Sequence, residues 1–156
     1  AFKFPENHQV FYVDTRRPRD AQIYYMIADA YNKMGNTSKA QLNYKKAVAV
    51  NVRKTDYRYW QALALKKIGK ANEAESLFKE LVETGYNGIV QSVVNFYGAE
   101  GTTGETVETI NTRAYYTKGL GELGLGNKAE AEKCFKKSVE LKPDNLWSVV
   151  MLKQLK

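Results

Sequence analysis

Hydrophobic side chains in residues 21–50 recur at steps of three and four, the period of an α-helix that buries one face. A first helix is predicted by Ile23, Ile27, Ala30, Tyr31 and Met34, and a second by Ala40, Tyr44, Ala47 and Val48. Gly35 lies between them and provides the left-handed residue at which helices commonly end. Because the turn has only a few residues, the two helices are expected to be antiparallel neighbours.

The same pattern returns along the chain at a fixed interval. Gly69 follows Gly35 by 34 residues, and Gly126 follows Gly69 by 57, which is 34 plus 23. The second helix of each copy repeats an alanine and an aromatic residue: Ala40, Ala74 and Ala131, then Tyr44, Phe78 and Phe135. The sequence therefore predicts three copies of one helix pair, with an insertion before the third helix-ending glycine.

This pattern resembles the tetratricopeptide repeat. The resemblance rests on the glycines, on the alanine and aromatic positions, and on a small residue in each first helix, namely Ala28, Ala62 and Gly119. The chain departs from the family at the proline near the end of each repeat, which only the third copy has, as Pro143. The resemblance covers roughly residues 21–145 apart from the insertion. It implies an all-α fold, a right-handed superhelical array of antiparallel helix pairs.

The predicted boundaries follow from the repeat. Residues 1–20 form an N-terminal arm or linker, and the repeats cover about 21–54, 55–88 and 112–145. The insertion, about residues 89–111, is predicted to hold a short helix and then a glycine-rich loop. We expect the first helix of the third repeat to reach back to about residue 105.

A C-terminal helix over residues 145–155 is predicted to cover the open end of the array, because the last helix pair cannot bury its apolar face alone. Asn145 is a suitable N-cap residue for this helix. Its predicted apolar side consists of Leu146, Val149, Val150, Leu152 and Leu155, with Trp147 packed beside it.

Composition excludes several functional classes. The chain has 156 residues with one cysteine and one histidine, so it cannot close an internal disulfide and has little room for a histidine-based metal site or triad. No apolar run approaches the ~18 residues that a membrane-spanning helix needs. The spaced glycines of residues 119–124 match a dinucleotide-binding pattern only weakly, since they fall inside a predicted helix. We expect no enzymatic activity in this chain, no cofactor and no metal.

Charge is distributed unevenly. Residues 1–70 carry 14 Lys and Arg against 5 Asp and Glu, a net charge of +9, whereas residues 71–156 carry 10 against 12, a net charge of −2. A basic half can attract nucleic acid or an anionic surface, but a solubilising surface of scattered lysines explains it as well. Nucleic-acid binding is therefore kept as the less favoured alternative.

The resemblance to tetratricopeptide repeats implies that the first helices line a concave groove that binds a protein or a peptide. The residues expected to face this groove are Tyr25, Asp29, Asn32, Lys33, Asp56, Tyr59, Leu63, Lys66, Lys67, Arg113, Tyr116 and Leu120, with Gln22 in the first copy at the repeat position of Asp56 and Arg113. The tyrosines are either anchors for a partner or packing between repeats. The lysines and Arg113 favour an acidic peptide.

Some members of the family hold a terminal carboxylate in a clamp of basic and amide side chains. The corresponding positions here are Tyr25, Asp29, Trp60, Arg113 and Thr117, of which only Arg113 suits that role. The resemblance therefore implies a scaffold for peptide binding without this clamp. The chain begins at Ala1, and we expect a processed protein or a piece of a larger one, such as an accessory module of a bacterial multidomain protein or enzyme. The cytoplasm and a bacterial cell envelope both remain open as its compartment.

Overall fold

The computed structural model of the protein describes residues 17–53, 55–92 and 105–155. These residues form seven α-helices and contain no strand. The helices are α1 Asp20–Lys33, α2 Thr37–Ala49, α3 Arg58–Lys67, α4 Ala71–Asn87, α5 Val107–Leu125, α6 Lys128–Leu141 and α7 Leu146–Leu155. None of them is long and apolar enough to cross a membrane.

The three glycines of the repeat end the first helix of each pair, as predicted. Gly35, Gly69 and Gly126 have φ angles of +75°, +84° and +90°, a left-handed conformation that side chains with a Cβ rarely adopt. At the first of these turns the Asn36 side chain caps α2 by accepting a hydrogen bond from the Lys39 amide, at 3.1 Å. Each glycine thereby reverses the chain within a few residues.

The helices pack as an array of pairs. Helices α1, α3 and α5 each pack against the helix that follows them, and α2 against α3 and α4 against α5 join successive pairs. The first helices also contact one another, α1 with α3 and α3 with α5. The repeated aromatic positions Tyr44, Phe78 and Phe135 are fully buried at the centre of the core. The predicted all-α repeat array is confirmed.

Three glycines inside α5 explain how closely this helix approaches its neighbours. A Cβ atom on Gly119 would lie 2.6 Å from the Phe135 ring, and one on Gly121 would lie 2.7 Å from the Phe78 carbonyl oxygen. A Cβ atom on Gly124 would collide with the Phe78 ring. The spaced glycines of residues 119–124 therefore serve helix packing, and no strand-to-helix loop is present there to bind a dinucleotide.

The insertion differs from its prediction where the structure describes it. Helix α4 continues to Asn87, and residues 89–92 are not helical. The rest of the helix predicted near residues 89–97, and the glycine-rich loop after it, lie outside the described residues. Helix α5 begins at Val107, two residues after its predicted start, and Thr106 caps it by accepting from the Thr109 amide at 3.3 Å.

The Asn111 side chain holds the start of the insertion against α5. Its Nδ2 donates to the Val90 carbonyl and its Oδ1 accepts from the Val90 amide, both at 2.8 Å. The two hydrogen bonds together pair one side-chain amide with one backbone residue, as a neighbouring strand would. This clamp fixes the path of the chain as it leaves α4.

Helix α7 buries only part of the apolar side predicted for it, with Leu152 and Leu155 packed against the core cluster. Asn145 caps it as expected, accepting from the Ser148 amide at 3.2 Å. Ser148 and Met151 are buried, however, whereas Leu146 is 72% exposed, Trp147 51% exposed, and Val150 exposed as well. The Ser148 hydroxyl bonds the Ser138 hydroxyl of α6, and this contact turns the Leu146 side of the helix towards solvent.

Candidate functional site

An open groove of about 320 Å³ lies between α1, α3 and α7. Two of its walls are first helices of repeats, as the resemblance implied, and the third is the C-terminal helix. Its lining consists of Tyr25, Met26 and Asp29 of α1, Tyr59, Trp60 and Leu63 of α3, and Met151 and Gln154 of α7. The groove is therefore bounded by α7 at one end and does not run freely along the array.

Aromatic rings form the wall shared by α1 and α3. The centroids of Tyr25 and Trp60 are 5.5 Å apart with the rings tilted by 51°, and those of Tyr59 and Trp60 are 5.5 Å apart with the rings at 75°. Tyr25 also contacts Tyr44 in the first pair, at 5.6 Å, and Tyr59 contacts Phe78 in the second, at 5.9 Å. Tilted and edge-on contacts of this kind are favourable, so the core holds the aromatic wall in one arrangement.

The hydroxyl groups on this wall stay protonated at neutral pH. Burial, with smaller contributions from Tyr44 and the Asp29 carboxylate, raises the pKa of Tyr25 to about 12. Burial alone raises the pKa of Tyr59 to about 12. Each hydroxyl can therefore both donate and accept a hydrogen bond from a bound chain.

Asp29 is the only charged side chain among the described residues that line the groove. Its carboxylate accepts from the Lys33 ammonium at 2.9 Å, one helical turn further along α1. This hydrogen bond and the charge of Asp29 raise the pKa of Lys33. Since the Lys33 side chain is exposed, water screens the ion pair, which can open at little cost.

The structure brings four of the predicted site residues together in the groove: Tyr25, Asp29, Tyr59 and Leu63. The two tyrosines pack between helices, which is one of their two predicted roles, and they also line the groove. Tyr116 packs against the Phe135 ring at 6.0 Å, and burial together with the Asp56 carboxylate raises its pKa. Burial likewise raises the pKa of Asp56, just before α3.

The prediction for Leu120 is wrong. This residue is only 1% exposed and belongs to the core cluster beneath α5, so it cannot contact a partner. Gly119 and Gly121, on either side of Leu120 in α5, are buried as well. Gln22, which occupies the repeat position of Asp56 and Arg113 in the first copy, is buried as well.

The remaining predicted residues lie outside the groove. Asn32 and Lys67 are exposed and do not line it, and Lys33 reaches it only through Asp29. Lys66 lies over the Phe78 ring, 5.8 Å from its centroid. Arg113 is paired with Glu105 at 2.6 Å. The four basic side chains that favoured an acidic peptide therefore do not converge on the groove.

Sequence reasoning missed four groove residues: Met26, Trp60, Met151 and Gln154. Trp60 follows Tyr59 directly, and a second aromatic beside a repeated tyrosine was an available signal. The α7 residues could not be found from the repeat pattern, because their place depends on how the C-terminal helix lies on the array. Met151 is central in α7 and is packed into the core cluster.

A second cavity of about 360 Å³ opens on the other side of α3. It is lined by Lys66, Ala71, Glu75, Phe78, Gly124 and Leu125. The buried Phe78 ring lies at its wall beside one basic and one acidic side chain, and the cavity has no cluster of convergent polar groups. In the part of the chain that the structure describes, no three His, Cys, Asp or Glu side chains are grouped so that they could hold a metal ion.

Comparisons with known proteins agree with this architecture. Residues 21–51 and residues 112–145 each match a family model described as tetratricopeptide repeat, and these segments contain α1 with α2 and α5 with α6. No curated protein matches the chain.

Similar solved structures are tetratricopeptide domains. The first such domain of human RPAP3 is 20% identical, with 89% of this chain and 91% of that chain covered and a TM-score of 0.36. The first one of Spaghetti (RPAP3), bound to the HSP90 peptide SRMEEVD, is 19% identical, with 92% and 95% covered and a TM-score of 0.35. The Arabidopsis OM64 domain is 19% identical, with 87% and 93% covered and a TM-score of 0.33. Residues 21–51 and 112–145, each within a helix pair of the array, are therefore tetratricopeptide repeats.

Proposed function

We propose that this protein is a helical-repeat scaffold that binds a peptide or protein segment in the groove between α1, α3 and α7. The observation that carries the proposal is the aromatic wall of Tyr25, Tyr59 and Trp60, which faces an open space of about 320 Å³. The family assignment supports a binding role rather than a catalytic one, since arrays of these repeats are generally interaction modules.

The physical basis of binding is a surface that is formed before the partner arrives. The aromatic rings are packed against one another and against the core, so little side-chain entropy is lost when a ligand covers them. Tyrosine and tryptophan side chains provide much of the energy at protein interfaces, because they combine a large apolar area with a polar group. The size of the groove suits a few side chains of an extended segment, and we propose that these supply the main anchors.

An experiment can test the groove directly with two variants of the same helix. Met26 is 50% exposed and lines the groove, whereas Met34 is 77% exposed at the end of α1 and does not. Peptides would be selected from a random phage-displayed library on the immobilised protein, and their affinities measured by fluorescence polarisation. We expect Met26→Trp to fill the groove and to weaken the selected peptides at least about tenfold, a loss of about 1.4 kcal/mol.

The matched control is Met34→Trp, which adds the same bulk to the same helix outside the groove. It should leave the affinities within about twofold, since substitutions away from an interface are close to neutral. Circular dichroism and thermal unfolding would establish that both variants fold. If peptides bind Met26→Trp as tightly as the wild type, the groove is not the binding site and the proposal is overturned.

A further inference from the structure

Among the residues that the structure describes, no lysine or arginine lies over the aromatic rings of the groove. Elsewhere the described residues place lysine ammonium groups over rings, at distances typical of cation–π contacts. These pairs are Lys39 with Tyr31 at 5.3 Å, Lys46 with Tyr24 at 5.7 Å and Lys66 with Phe78 at 5.8 Å. No such contact is found for Tyr25, Tyr59 or Trp60, although all three line an open groove.

The charge at the rim has the sign that complements a cation. Asp29 lies beside Tyr25 and is the only charged group among the described lining residues. Its present partner, the Lys33 ammonium, is exposed and one turn away, so it can be displaced by a cation that also gains contact with the rings. An acidic ligand would instead meet a carboxylate and the negative faces of aromatic rings, which disfavours it at this point.

We propose that the groove recognises a positively charged side chain, that of an arginine or a lysine, on the bound peptide. The inference rests on the proposed function and names the chemistry of the ligand that this site takes. The cation would lie against the aromatic wall with Asp29 at its edge, while the aliphatic part of the same side chain contacts Met26, Leu63 and Met151. The groove is thus expected to prefer a basic side chain, whereas the sequence favoured an acidic peptide.

The methionines provide a direct readout. The chain has three of them, of which Met26 and Met151 line the groove and Met34 does not. Protein with ¹³C-labelled methionine methyl groups would be titrated with N-acetyl-arginine amide at constant ionic strength. N-acetyl-citrulline amide has nearly the same shape without the charge and is the matched control. N-acetyl-lysine amide shows whether the groove prefers the guanidinium of arginine or the ammonium of lysine. N-acetyl-glutamate amide tests whether it binds an acidic side chain instead.

We expect saturable shifts of the Met26 and Met151 signals with the arginine probe and no shift of Met34. Because a partly exposed cation–π contact is worth a few-fold in affinity, arginine should bind at least about threefold more tightly than citrulline, and glutamate least of all. A dissociation constant on the order of millimolar is expected for probes of this size. Equal affinities for arginine and citrulline would overturn the proposal, and so would the absence of saturation at both groove methionines.

Two substitutions are expected to act in opposite directions. Lys33→Met removes the internal competitor for Asp29 and should tighten arginine binding about twofold, whereas Asp29→Asn should weaken it about threefold. Lys45→Met removes one exposed lysine from α2 and is the control for net charge, with no change expected. If Lys33→Met weakens binding, or if Lys45→Met tightens it equally, the role of Asp29 is refuted.

The experiments distinguish a failure of this inference from a failure of the proposed function. Suppose that peptides bind the wild type and lose affinity with Met26→Trp, but show no preference for arginine or lysine. Groove binding would then stand, and only the proposed recognition of a cationic side chain would be overturned. Peptides unaffected by Met26→Trp would overturn both.

Discussion

The Ser148 hydroxyl of α7 donates to the Ser138 hydroxyl of α6 over 2.8 Å, in a buried site. Ser138 in turn donates to the Thr112 carbonyl of α5 at 3.0 Å and also accepts from the Asn145 side chain at 3.3 Å. A hydroxyl has one proton, so Ser138 can serve the other two groups only as an acceptor. This network joins three helices and sets the rotation of α7, which places Met151 in the wall of the groove.

The two serines are therefore expected to differ in importance. Ser148→Ala removes one donor and should lower the free energy of unfolding by about 1 kcal/mol. Ser138→Ala removes the shared partner and leaves the Thr112 carbonyl and the Ser148 hydroxyl buried without it, so a loss of about 2 kcal/mol is expected. Urea unfolding of both variants measures the difference. Equal losses would contradict the central position of Ser138 in the network.

Helix α7 is the element whose packing the sequence predicted least well. Periodicity predicts helices α1 to α6 well because each has an apolar stripe that faces the preceding or following repeat. In α7 the apolar residues surround most of the helix, and the buried face is chosen by Ser148, a polar residue that periodicity assigns to solvent. Trp147 was therefore expected inside and is exposed, and Met151 was not expected in the groove.

The candidate site was predictable only where it belongs to the repeat. Tyr25 and Tyr59 occupy the same position of successive first helices, and both line the groove. Leu120 occupies the repeat position of Asp29 and Leu63 but is buried, in a helix whose glycines allow close approach to α4 and α6. A repeat pattern specifies which residues are equivalent, whereas their exposure depends on distances between helices that the pattern does not contain.

The packing of α5 predicts a reversal of the usual effect of a glycine substitution. Replacing a glycine inside a helix with alanine ordinarily stabilises the helix by about 1 kcal/mol. At Gly121 the new Cβ would lie 2.7 Å from the Phe78 carbonyl oxygen and from the Val82 amide nitrogen, two backbone atoms that cannot move independently of α4. We expect Gly121→Ala to lower the free energy of unfolding by about 1–3 kcal/mol. An increase in the thermal midpoint of this variant would refute the close approach of α4 and α5.

The Asn111 clamp predicts a local change at the start of the insertion. Asn111→Ala removes both hydrogen bonds to Val90, so the Val90 amide should lose its protection and exchange with solvent faster. We also expect the free energy of global unfolding to decrease by about 1 kcal/mol. Hydrogen exchange followed by NMR measures the first effect and urea unfolding the second.

The aspartate variant separates the two hydrogen bonds of the clamp. In Asn111→Asp the carboxylate can still accept from the Val90 amide, but it cannot donate to the Val90 carbonyl and repels it. Exchange at Val90 should therefore lie between those of the wild type and Asn111→Ala. Unchanged exchange in both variants would show that the clamp does not hold residues 89–92.

The aromatic wall predicts a loss of stability at alkaline pH. An exposed tyrosine in the unfolded chain ionises near pH 10, whereas the folded protein holds the pKa of Tyr59 at about 12. Between these values the unfolded chain has released its proton and the folded protein has not, so a rise in pH favours unfolding. The contribution of Tyr59 to stability is therefore complete below about pH 10 and is lost as the pH rises through about 12.

The test is the free energy of unfolding at pH 9 and pH 11 in the wild type and in Tyr59→Phe. Phenylalanine has no proton to release, so the decrease between the two pH values should be smaller in the variant by roughly 1 kcal/mol. Tyr25→Phe should act in the same direction but less strongly, since Tyr25 is in closer contact with water than Tyr59, which is only 6% exposed. Tyr86→Phe makes the same substitution at an exposed position of α4 and serves as the control. An alkaline decrease that Tyr59→Phe and Tyr86→Phe reduce equally would mean that burial of the groove tyrosines is not its cause.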